Sequence, residues 1–197
     1  MQTLKPEMKT AILQQAKKQF LQLGYERVTM KSIASAVNMS VGNLYRYFEN
    51  KDRLFEAVVK PAIDGLTHLL NHHEEPDDAE QASAAVIISA VGELLGELLQ
   101  NVAEELLILV DGSKGTPFEH MPDQLYTALT EHLEKHLVKD GKQKEWPDPS
   151  LVSKPVAVGF LQGFFEIARC HRSDPERMRQ AAEDYFRIQF NGLQAVF

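Results

Sequence analysis

Apolar residues recur every three to four positions along nearly the whole 197-residue chain. In the first such segment Ile12, Ala16, Phe20 and Leu23 fall on one face of a helix, and Gly24 follows them as a stop. The strict alternation that is typical of a half-buried strand is not evident in any segment. This periodicity predicts an all-α fold, and 44% apolar residues are enough to fill a core.

Two short helical segments joined by a tight turn follow this first helix. The earlier one begins after Thr29, whose hydroxyl is placed to cap it, and ends near Val37. Asn38 tolerates the left-handed conformation that a tight turn requires, and Ser40 can cap the later helix, predicted at about 41–48. Two short helices braced by a third predict a helix-turn-helix unit.

The remainder of the chain is also predicted to be helical. A longer helix begins after Asn50 and contains Pro61, which is expected to kink it. The acidic residues 74–80 are expected to form a solvated linker. Later helices are predicted at 82–110 with a break near Asn101, at 117–139, at 151–170 and at 175–193. The helix at 151–170 is apolar almost all round, which indicates a subunit interface.

Charge is distributed unevenly along the chain. The formal net charge is -7, yet residues 1–60 contain ten Lys or Arg and five Asp or Glu, a net of +5. The other 137 residues contain 11 basic and 23 acidic residues, a net of -12. This asymmetry indicates two parts with different partners, and the N-terminal part suits a polyanion.

The second short helix of a helix-turn-helix unit lies in the major groove of DNA, with its N-terminal residues at the base edges. Leu44 and Phe48 are predicted to face the core, whereas Gly42 allows close approach of the backbone. The neighbouring tyrosines offer hydroxyl groups to phosphates, and Lys51 lies where the next helix begins, which suits a phosphate. The predicted DNA contacts are Thr29, Lys31, Ser40, Val41, Gly42, Asn43, Tyr45, Arg46, Tyr47 and Lys51.

The stretch TMKSIASAVNMSVGNLYRYFENKDRLF, residues 29–55, resembles the DNA-binding signature of the tetracycline-repressor (TetR) family. The matching positions are Thr29, Ile33, Ala34, Gly42, Leu44, Tyr45, Phe48, Lys51 and Leu54. Asn38 departs from the Gly that the family often has there, but Asn also visits the left-handed region. The resemblance implies about nine helices: three form a DNA-binding head, and the others form an effector-binding body whose last two helices build a four-helix bundle with a second subunit.

The resemblance also implies two domains with different functions. It predicts a helix-turn-helix DNA-binding domain at residues 1–50 and an effector-binding and dimerisation domain at residues 51–197. The expected function is that of a cytoplasmic, homodimeric, ligand-responsive repressor, which leaves a palindromic operator when a small apolar effector binds. The alternative is a DNA-binding regulator without a small-molecule effector, either constitutive or controlled by a partner protein.

Large side chains of the predicted body are candidates for the wall of an apolar effector pocket. The pocket candidates are Leu107, Val110, Phe118, Met121, Leu125, Trp146, Phe160 and Phe164, together with Glu166. Glu166 is interpreted either as an anchor for a cationic ligand or as a partner of Arg169. The candidates for the dimer interface are Val156, Phe160, Gly163, Met178, Ala182 and Tyr185.

Other motifs give weaker signals. His132 and His136 lie one helical turn apart, but no further ligand is identifiable, so no metal site is predicted. Cys170 is the only cysteine, which excludes an intrachain disulfide, and it is predicted to pack in the core. No catalytic arrangement or cofactor motif stands out, and neither a signal peptide nor a membrane span is expected.

Overall fold

The computed structural model of the chain describes residues 5–71, 84–139, 148 and 150–196. Within these residues the chain forms eight helices and no strand, so the predicted all-α fold is confirmed. The helices are α1 (Pro6–Arg27), α2 (Met30–Ala36), α3 (Val41–Leu44), α4 (Lys51–Asn71), α5 (Ala84–Asp111), α6 (Met121–Lys139), α7 (Ser150–His171) and α8 (Pro175–Val196). The acidic residues 74–80, which are predicted to form a linker, lie outside the described residues.

The helix count is eight instead of about nine because α5 spans the predicted break near Asn101. At Val102 its backbone leaves the helical region, with φ -137° and ψ 23°, so the helix bends there without ending. The chain continues past Asp111 into a turn, and Gly115 adopts a φ of 81° in this turn. Helix α6 then begins at Met121, four residues later than the predicted start at residue 117.

The chain divides into two compact units. The first unit comprises Met1–Thr67 and Val102–Glu119, and the second comprises His68–Asn101 and His120–Phe197. Helices α4 and α5 therefore each contribute residues to both units. The predicted domain boundary after residue 50 stays a prediction.

The core of the first unit is built on one face of α1. Ile12, Ala16 and Phe20 lie four residues apart on this face and are all buried. The ring of Phe20 meets the buried ring of Phe55 from α4 edge to face, with 5.1 Å between the centroids. The ring of Phe118 lies 6.2 Å from that of Phe55, centroid to centroid, so aromatic rings from three segments pack together in this unit.

Gly24 interrupts α1, as predicted, because its φ of 71° is in the region that favours glycine. The backbone approaches another glycine there: the amide of Tyr25 donates to the carbonyl oxygen of Gly112 at 2.8 Å. A Cβ atom at Gly112 would lie 3.6 Å from the Cα of Gly24 and 3.0 Å from the carbonyl oxygen of Ile108. Small residues at both positions therefore allow the end of α1 to meet the end of α5.

Helices α7 and α8 pack against each other in the second unit. The hydroxyl of Tyr185 on α8 donates towards the carbonyl oxygens of Gly159 and Phe160 on α7, at 3.1 and 3.3 Å. The ring of Tyr185 stacks on that of Phe160 with 5.7 Å between centroids. Gly163 leaves the space that this ring occupies, since a Cβ there would lie 2.5 Å from Cζ of Tyr185.

Among the described residues, α7 is long and apolar enough to cross a membrane by length and composition. Its most apolar 18-residue window has a mean hydropathy of 1.3, and 28% of that window is buried. Core helices and interface helices of soluble proteins meet the same criterion. The composition of α7 therefore fits its predicted role between subunits and is weak evidence for a membrane.

Candidate nucleic-acid interface

The start of α2 has the capping arrangement that the sequence predicts. The hydroxyl of Thr29 accepts a hydrogen bond from the amide of Ser32 at 3.0 Å, and the Ser32 hydroxyl accepts one from the Thr29 amide at 3.3 Å. This reciprocal pair satisfies backbone donors that the first turn of a helix leaves unpaired. The Thr29 side chain is exposed, and its oxygen already serves the cap.

The turn between α2 and α3 also matches the prediction. Val37 is the C-cap of α2, and Asn38 has a φ of 52°, the left-handed conformation expected of it. Ser40 then caps α3 by accepting a hydrogen bond from the amide of Asn43 at 3.2 Å. Local side-chain chemistry therefore fixes the angle at which α3 leaves α2.

Helix α3 turns one face to the core and the other to solvent. Leu44 and Phe48 are buried, as predicted, and they anchor the helix to the first unit. The regular helix ends at Leu44, and the chain continues as turns in which the amides of Tyr47 and Phe48 both donate to the Leu44 carbonyl oxygen, at 2.9 and 3.1 Å. On the outer face Gly42, Asn43, Tyr45 and Arg46 are exposed, and Val41 is half-buried.

Two features leave this outer face accessible to a partner. A Cβ atom at Gly42 would meet nothing within 4 Å, so the space above the start of α3 is open. Tyr45 is 49% exposed and is one of four large apolar side chains that remain exposed in the described part of the chain. An exposed phenol beside open backbone can offer both a hydrogen bond and a contact surface.

Tyr47 and Lys31 extend this surface on either side of α3 in the sequence. The Tyr47 hydroxyl accepts a hydrogen bond from the backbone amide of Lys5 at 3.3 Å, which joins the start of α1 to the segment after α3. The hydroxyl can still donate its own proton. Lys31 is exposed on α2, and it forms no ion pair within the described residues. Both side chains therefore keep the capacity to contact a phosphate.

Lys51 is engaged inside the first unit. Its ammonium donates to the carbonyl oxygens of Tyr25 and Val28, at 3.0 and 3.1 Å, and lies 3.8 Å from the centroid of the Tyr25 ring. Two of its three N–H groups are thus used by the end of α1. The neighbouring start of α4 is capped by Asn50, whose Oδ1 accepts from the Arg53 amide at 2.8 Å.

Tyr25 is a contact centre that the sequence alone did not reveal. Its hydroxyl donates to Oδ1 of Asp52, and its ring packs against Phe20 and Phe55 at 6.2 and 5.4 Å. Burial and the bond to Asp52 raise the pKa of Tyr25 to about 12. The only sequence signal for this role is its place directly after Gly24, where the chain must change direction.

Lys17 contributes less free positive charge than its sequence position indicates. Its ammonium pairs with Glu104 at 3.1 Å and with Glu105 at 3.0 Å. Burial alone would lower the pKa of Lys17, but the two carboxylates outweigh it, so the pKa lies above its ordinary value. The positive field of this unit must therefore come mainly from other basic residues.

The pocket candidates are divided between the two units. Leu107, Val110 and Phe118 belong to the first unit, and Met121, Leu125, Phe160, Phe164 and Glu166 belong to the second. Leu107 and Phe164 are buried, Glu166 is exposed, and the others are half-buried. Trp146 lies outside the described residues. The effector pocket stays a prediction.

Phe118 is the pocket candidate that lines one of two concave surfaces found among the described residues. The concavity in the first unit has a volume of about 450 Å³ and is lined by Asn50, Asp52, Arg53, Glu56, Pro117 and Phe118. The other lies along α6 in the second unit, has a volume of about 460 Å³, and is lined by His120, Asp123, Gln124, Thr127, Ala128 and Glu131. Both are open to solvent, and most of the residues that line them have polar or charged side chains.

The interface candidates differ in how much surface they offer. Met178 and Ala182 are only 2% and 0% exposed, so their side chains pack within the chain. Val156, Phe160, Gly163 and Tyr185 are half-buried, and the first three lie on α7. Leu151 on α7 and Ile188 on α8, which are not among the interface candidates, are 73% and 69% exposed. The interface stays a prediction, and these two side chains are further candidates for it.

Cys170 is exposed, so the prediction that it packs in the core is wrong. The helical period places it one turn after Glu166, and its thiol donates to the Glu166 carboxylate at 3.4 Å. This hydrogen bond holds the pKa of the thiol above its ordinary value. Glu166 also pairs with Arg169 at 3.3 Å, the second of the two roles considered for it.

Sequence comparison places the helix-turn-helix unit among known DNA-binding proteins. Residues 12–58 match the family of bacterial regulatory proteins named tetR. The nucleoid occlusion factor SlmA of Glaesserella parasuis is 36% identical over 64 residues, which cover 32% of this chain and 32% of SlmA. The chain thus matches about a third of the length of that relative. IcaR, a negative transcriptional regulator of the biofilm operon icaADBC in Staphylococcus aureus, is 25% identical over 135 residues, or 67% of this chain and 68% of IcaR.

Solved structures extend the likeness to the whole fold. A TetR-like transcriptional regulator from Rhodococcus sp. RHA1 superposes with a TM-score of 0.63 over 98% of this chain and 99% of its own, at 17% identity. AibR, solved with isovaleryl coenzyme A and operator DNA, gives a TM-score of 0.57 over 89% of this chain and 96% of its own, at 20% identity. At such identities these superpositions show the fold alone.

Proposed function

We propose that the chain is a homodimeric repressor of the TetR family that leaves a palindromic operator when a small molecule binds. The observation that carries this proposal is the outer face of α3: a capped helix, anchored by Leu44, that exposes Asn43, Tyr45 and Arg46 around the open backbone of Gly42. A cytoplasmic location follows from this function.

DNA recognition is divided between base edges and phosphates. Asn43 and Arg46 have side chains that can pair with base edges in the major groove, and Val41 can contact a thymine methyl group. The hydroxyl groups of Tyr45 and Tyr47 and the ammonium of Lys31 supply donors for phosphates. In this arrangement the phosphate contacts fix the position of α3, and the side chains at its N-terminal end read the sequence.

Affinity measurements on a duplex that the protein itself selects test this division. Asn43→Ala should lower affinity for the selected duplex more than for unrelated duplexes, by about 1–3 kcal/mol at the positions it reads. Tyr45→Phe, which removes a phosphate donor, should lower both affinities alike. Lys154→Ala is the matched control, because this exposed lysine lies on α7 and outside the first unit. Equal loss of specific and non-specific binding for Asn43→Ala would refute base reading by α3.

The homodimer is supported by apolar surface on the last two helices. Leu151 on α7 and Ile188 on α8 are mostly exposed in the single chain, and less than a third of the most apolar part of α7 is buried. Exposed apolar side chains on adjacent elements are typical of a surface that another subunit covers. Two-fold symmetry would then place two copies of α3 on one face of DNA, which requires a palindromic site.

Sedimentation velocity tests the dimer. Ile188→Glu should convert the dimer to a monomer, because it places a charge in an apolar interface without a partner. Leu23→Glu is the control: Leu23 is also an exposed large apolar residue, but it lies on α1 in the first unit. A wild-type monomer at micromolar concentration, or equal dissociation of both variants, would refute this interface.

The effector mechanism is a shift between two conformations. Helix α4 has 21 residues, about 30 Å in length, and it begins beside the predicted DNA contacts and continues into residues of the second unit. A small molecule that prefers the conformation with wrongly spaced DNA-binding units lowers operator affinity by its differential affinity, typically about 5–150-fold. The kink of α5 at Val102 is a second point at which the conformation of the chain can change.

A thermal-shift screen followed by operator-release assays tests this mechanism. The complex of AibR with isovaleryl coenzyme A and operator DNA makes acyl-coenzyme A thioesters the first probes, followed by apolar drug-like compounds. A compound that raises Tm must also weaken operator binding. A stabilising compound that leaves operator affinity unchanged would refute release by that compound.

The alternative is a DNA-binding protein without a small-molecule effector. The observation that favours it is the match to a nucleoid occlusion factor, which has a higher identity than the match to IcaR but covers only about a third of either chain. Under this alternative the protein selects a DNA site, but no compound in the screen both stabilises it and releases the DNA.

A further inference from the structure

The end of α1 presents carbonyl groups to the start of α4. Carbonyls in the last turn of a helix lack intrahelical partners and carry the partial negative charge of the helix dipole. The ammonium of Lys51 lies 3.0 Å from the carbonyl oxygen of Tyr25, which also accepts from the Val28 amide, and 3.1 Å from the carbonyl oxygen of Val28, the residue directly after α1. It is also 3.8 Å from the centroid of the Tyr25 ring, a distance typical of a cation–π contact. Two carbonyl oxygens and an aromatic ring of the protein itself thus stabilise the positive charge of Lys51.

The next residue on α4 holds the same tyrosine by a different group. The carboxylate of Asp52 accepts the hydroxyl proton of Tyr25, so two successive side chains of α4 grip the ring from its face and from its tip. The backbone amide of Tyr25 is fixed as well, because it donates to the carbonyl oxygen of Gly112 at 2.8 Å. Tyr25 therefore joins α1, the first turn of α4 and the segment after α5 within the first unit.

A phosphate ligand would need a different state of Lys51. To direct its ammonium at DNA, the lysine would have to leave two hydrogen bonds and an aromatic ring, and the carbonyl oxygens of Tyr25 and Val28 would lose this donor. Lys31 offers a direct comparison, because it is exposed and forms no ion pair within the described residues. The two lysines therefore differ in what binding to a phosphate would cost.

We propose that Lys51 and Asp52 form a clamp on Tyr25 that positions the start of α4 against the end of α1, and that Lys51 serves DNA binding as a positioning residue and not as a phosphate ligand. This inference rests on the proposed function and gives Lys51 a different role from the phosphate contact that its position at a helix start predicts. The clamp sets the orientation of α4 relative to α1, and through α1 that of the helix-turn-helix unit. Lys51 then acts on DNA through geometry, whereas Lys31 acts through charge.

The salt dependence of DNA binding separates geometry from charge. Each lost phosphate contact reduces the slope of log K against log salt by about 0.9, and a symmetric dimer loses two contacts per substitution, or about 1.8. Lys31→Met should reduce the slope by this amount. Lys51→Met should weaken binding about 2- to 30-fold at every salt concentration while the slope stays that of the wild type. A slope reduced by about 1.8 for Lys51→Met, or an unchanged affinity, would overturn the proposal.

Tyr25→Phe provides a milder variant in case Lys51→Met folds poorly. It removes only the hydroxyl bond to Asp52, changes no charge at neutral pH, and keeps the ring under the ammonium. The clamp predicts weaker binding with an unchanged slope, because the start of α4 is less well fixed. Wild-type affinity for Tyr25→Phe would show that Asp52 has no positioning role and would overturn that half of the proposal.

Thermal unfolding without DNA makes the test independent of the proposed function. Lys51→Met should lower Tm by about 2–4 °C or more, and this loss should be smaller in a Tyr25→Leu background, where the ring under the ammonium is missing. Equal losses in the two backgrounds would overturn the clamp. If the wild type bound no duplex at all, the proposed function would fail, but this comparison of Tm values would still decide whether the clamp exists.

Discussion

A single methyl group at Gly163 should disrupt the packing of α7 on α8. The Cβ of an alanine there would lie 2.5 Å from Cζ and 3.0 Å from Cε2 of Tyr185, and closer still to the hydroxyl. The aromatic ring is rigid, so it must move as a whole. It would lose its hydrogen bonds to Gly159 and Phe160 and its stacking on Phe160.

The expected cost follows from these contacts. Overpacking of this kind costs about 1–3 kcal/mol, and the displaced hydroxyl loses about 0.5–1.5 kcal/mol more. Replacing a helical glycine by alanine returns about 0.5–1 kcal/mol. The net loss for Gly163→Ala is about 2 kcal/mol, which lowers Tm by about 4–8 °C for a chain of this size.

Gly159 provides the matched control for this prediction. It lies one turn earlier on α7, and a Cβ there would meet nothing within 4 Å. Gly159→Ala should therefore raise the free energy of unfolding by about 0.5–1 kcal/mol. Both variants are to be compared by calorimetry at one protein concentration, since the proposed dimer makes Tm depend on concentration.

A second background identifies the cause of the loss. In a Tyr185→Ala protein the ring is absent, so Gly163→Ala should raise Tm as Gly159→Ala does. If Gly163→Ala were as stable as the wild type, the described contact between Tyr185 and α7 would be incorrect. If the variant lost stability equally with and without Tyr185, the loss would have another origin.

Three further predictions concern the first unit. Folding raises the pKa of Tyr25 from 10 to about 12, so the stability that its neutral phenol provides is complete below pH 10 and is lost as the pH rises through 12. The free energy of unfolding in urea should therefore fall less over this pH range for Tyr25→Phe than for the wild type. Thr29→Ala removes the cap of α2 and should lower the free energy of unfolding in urea by about 0.5–2 kcal/mol. A decrease of less than about 0.3 kcal/mol would contradict the observed capping box. Asn38→Ala, at a φ of 52°, should destabilise by about 1 kcal/mol, and Asn38→Gly should be neutral or stabilising.

Features that depend on neighbours in the sequence were predictable. The stop at Gly24, the caps at Thr29 and Ser40 and the left-handed turn at Asn38 each follow from the conformational preference of one residue. The period of apolar residues likewise identified the buried face of α1 at Ile12, Ala16 and Phe20 and the inward side of α3, but it was wrong for Leu23, which is 43% exposed. These signals sufficed for the helix-turn-helix unit because it is short and its geometry is set locally.

Features that join distant segments were not predictable. Lys17 meets Glu104 and Glu105, which are more than 80 positions away, and nothing near Lys17 in the sequence indicates them. The engagement of Lys51 with Tyr25 depends in the same way on how α1 and α4 meet. Such contacts decide whether a basic side chain is available to DNA, and charge counts along the sequence do not contain that information.

Cys170 and two of the interface candidates show two further limits of prediction from apolar patterns. Cys170 occurs in an apolar stretch, but the helical period places it on the exposed side, beside Glu166. Met178 and Ala182 follow a pattern that fits an interface, yet their surface is already covered within the chain. Apolar periodicity identifies a buried face without saying whether the chain itself or a partner buries it.

The measurement that most directly tests the central claim is selection of bound duplexes from a random DNA pool at moderate salt, for the wild type and for Tyr45→Ala. The proposed function predicts enrichment of a near-palindrome whose half-sites lie about one helical turn apart or a multiple of it, and a loss of that enrichment in the variant. Enrichment of no sequence above background by the wild type, or equal enrichment by Tyr45→Ala, would contradict sequence-specific recognition through α3.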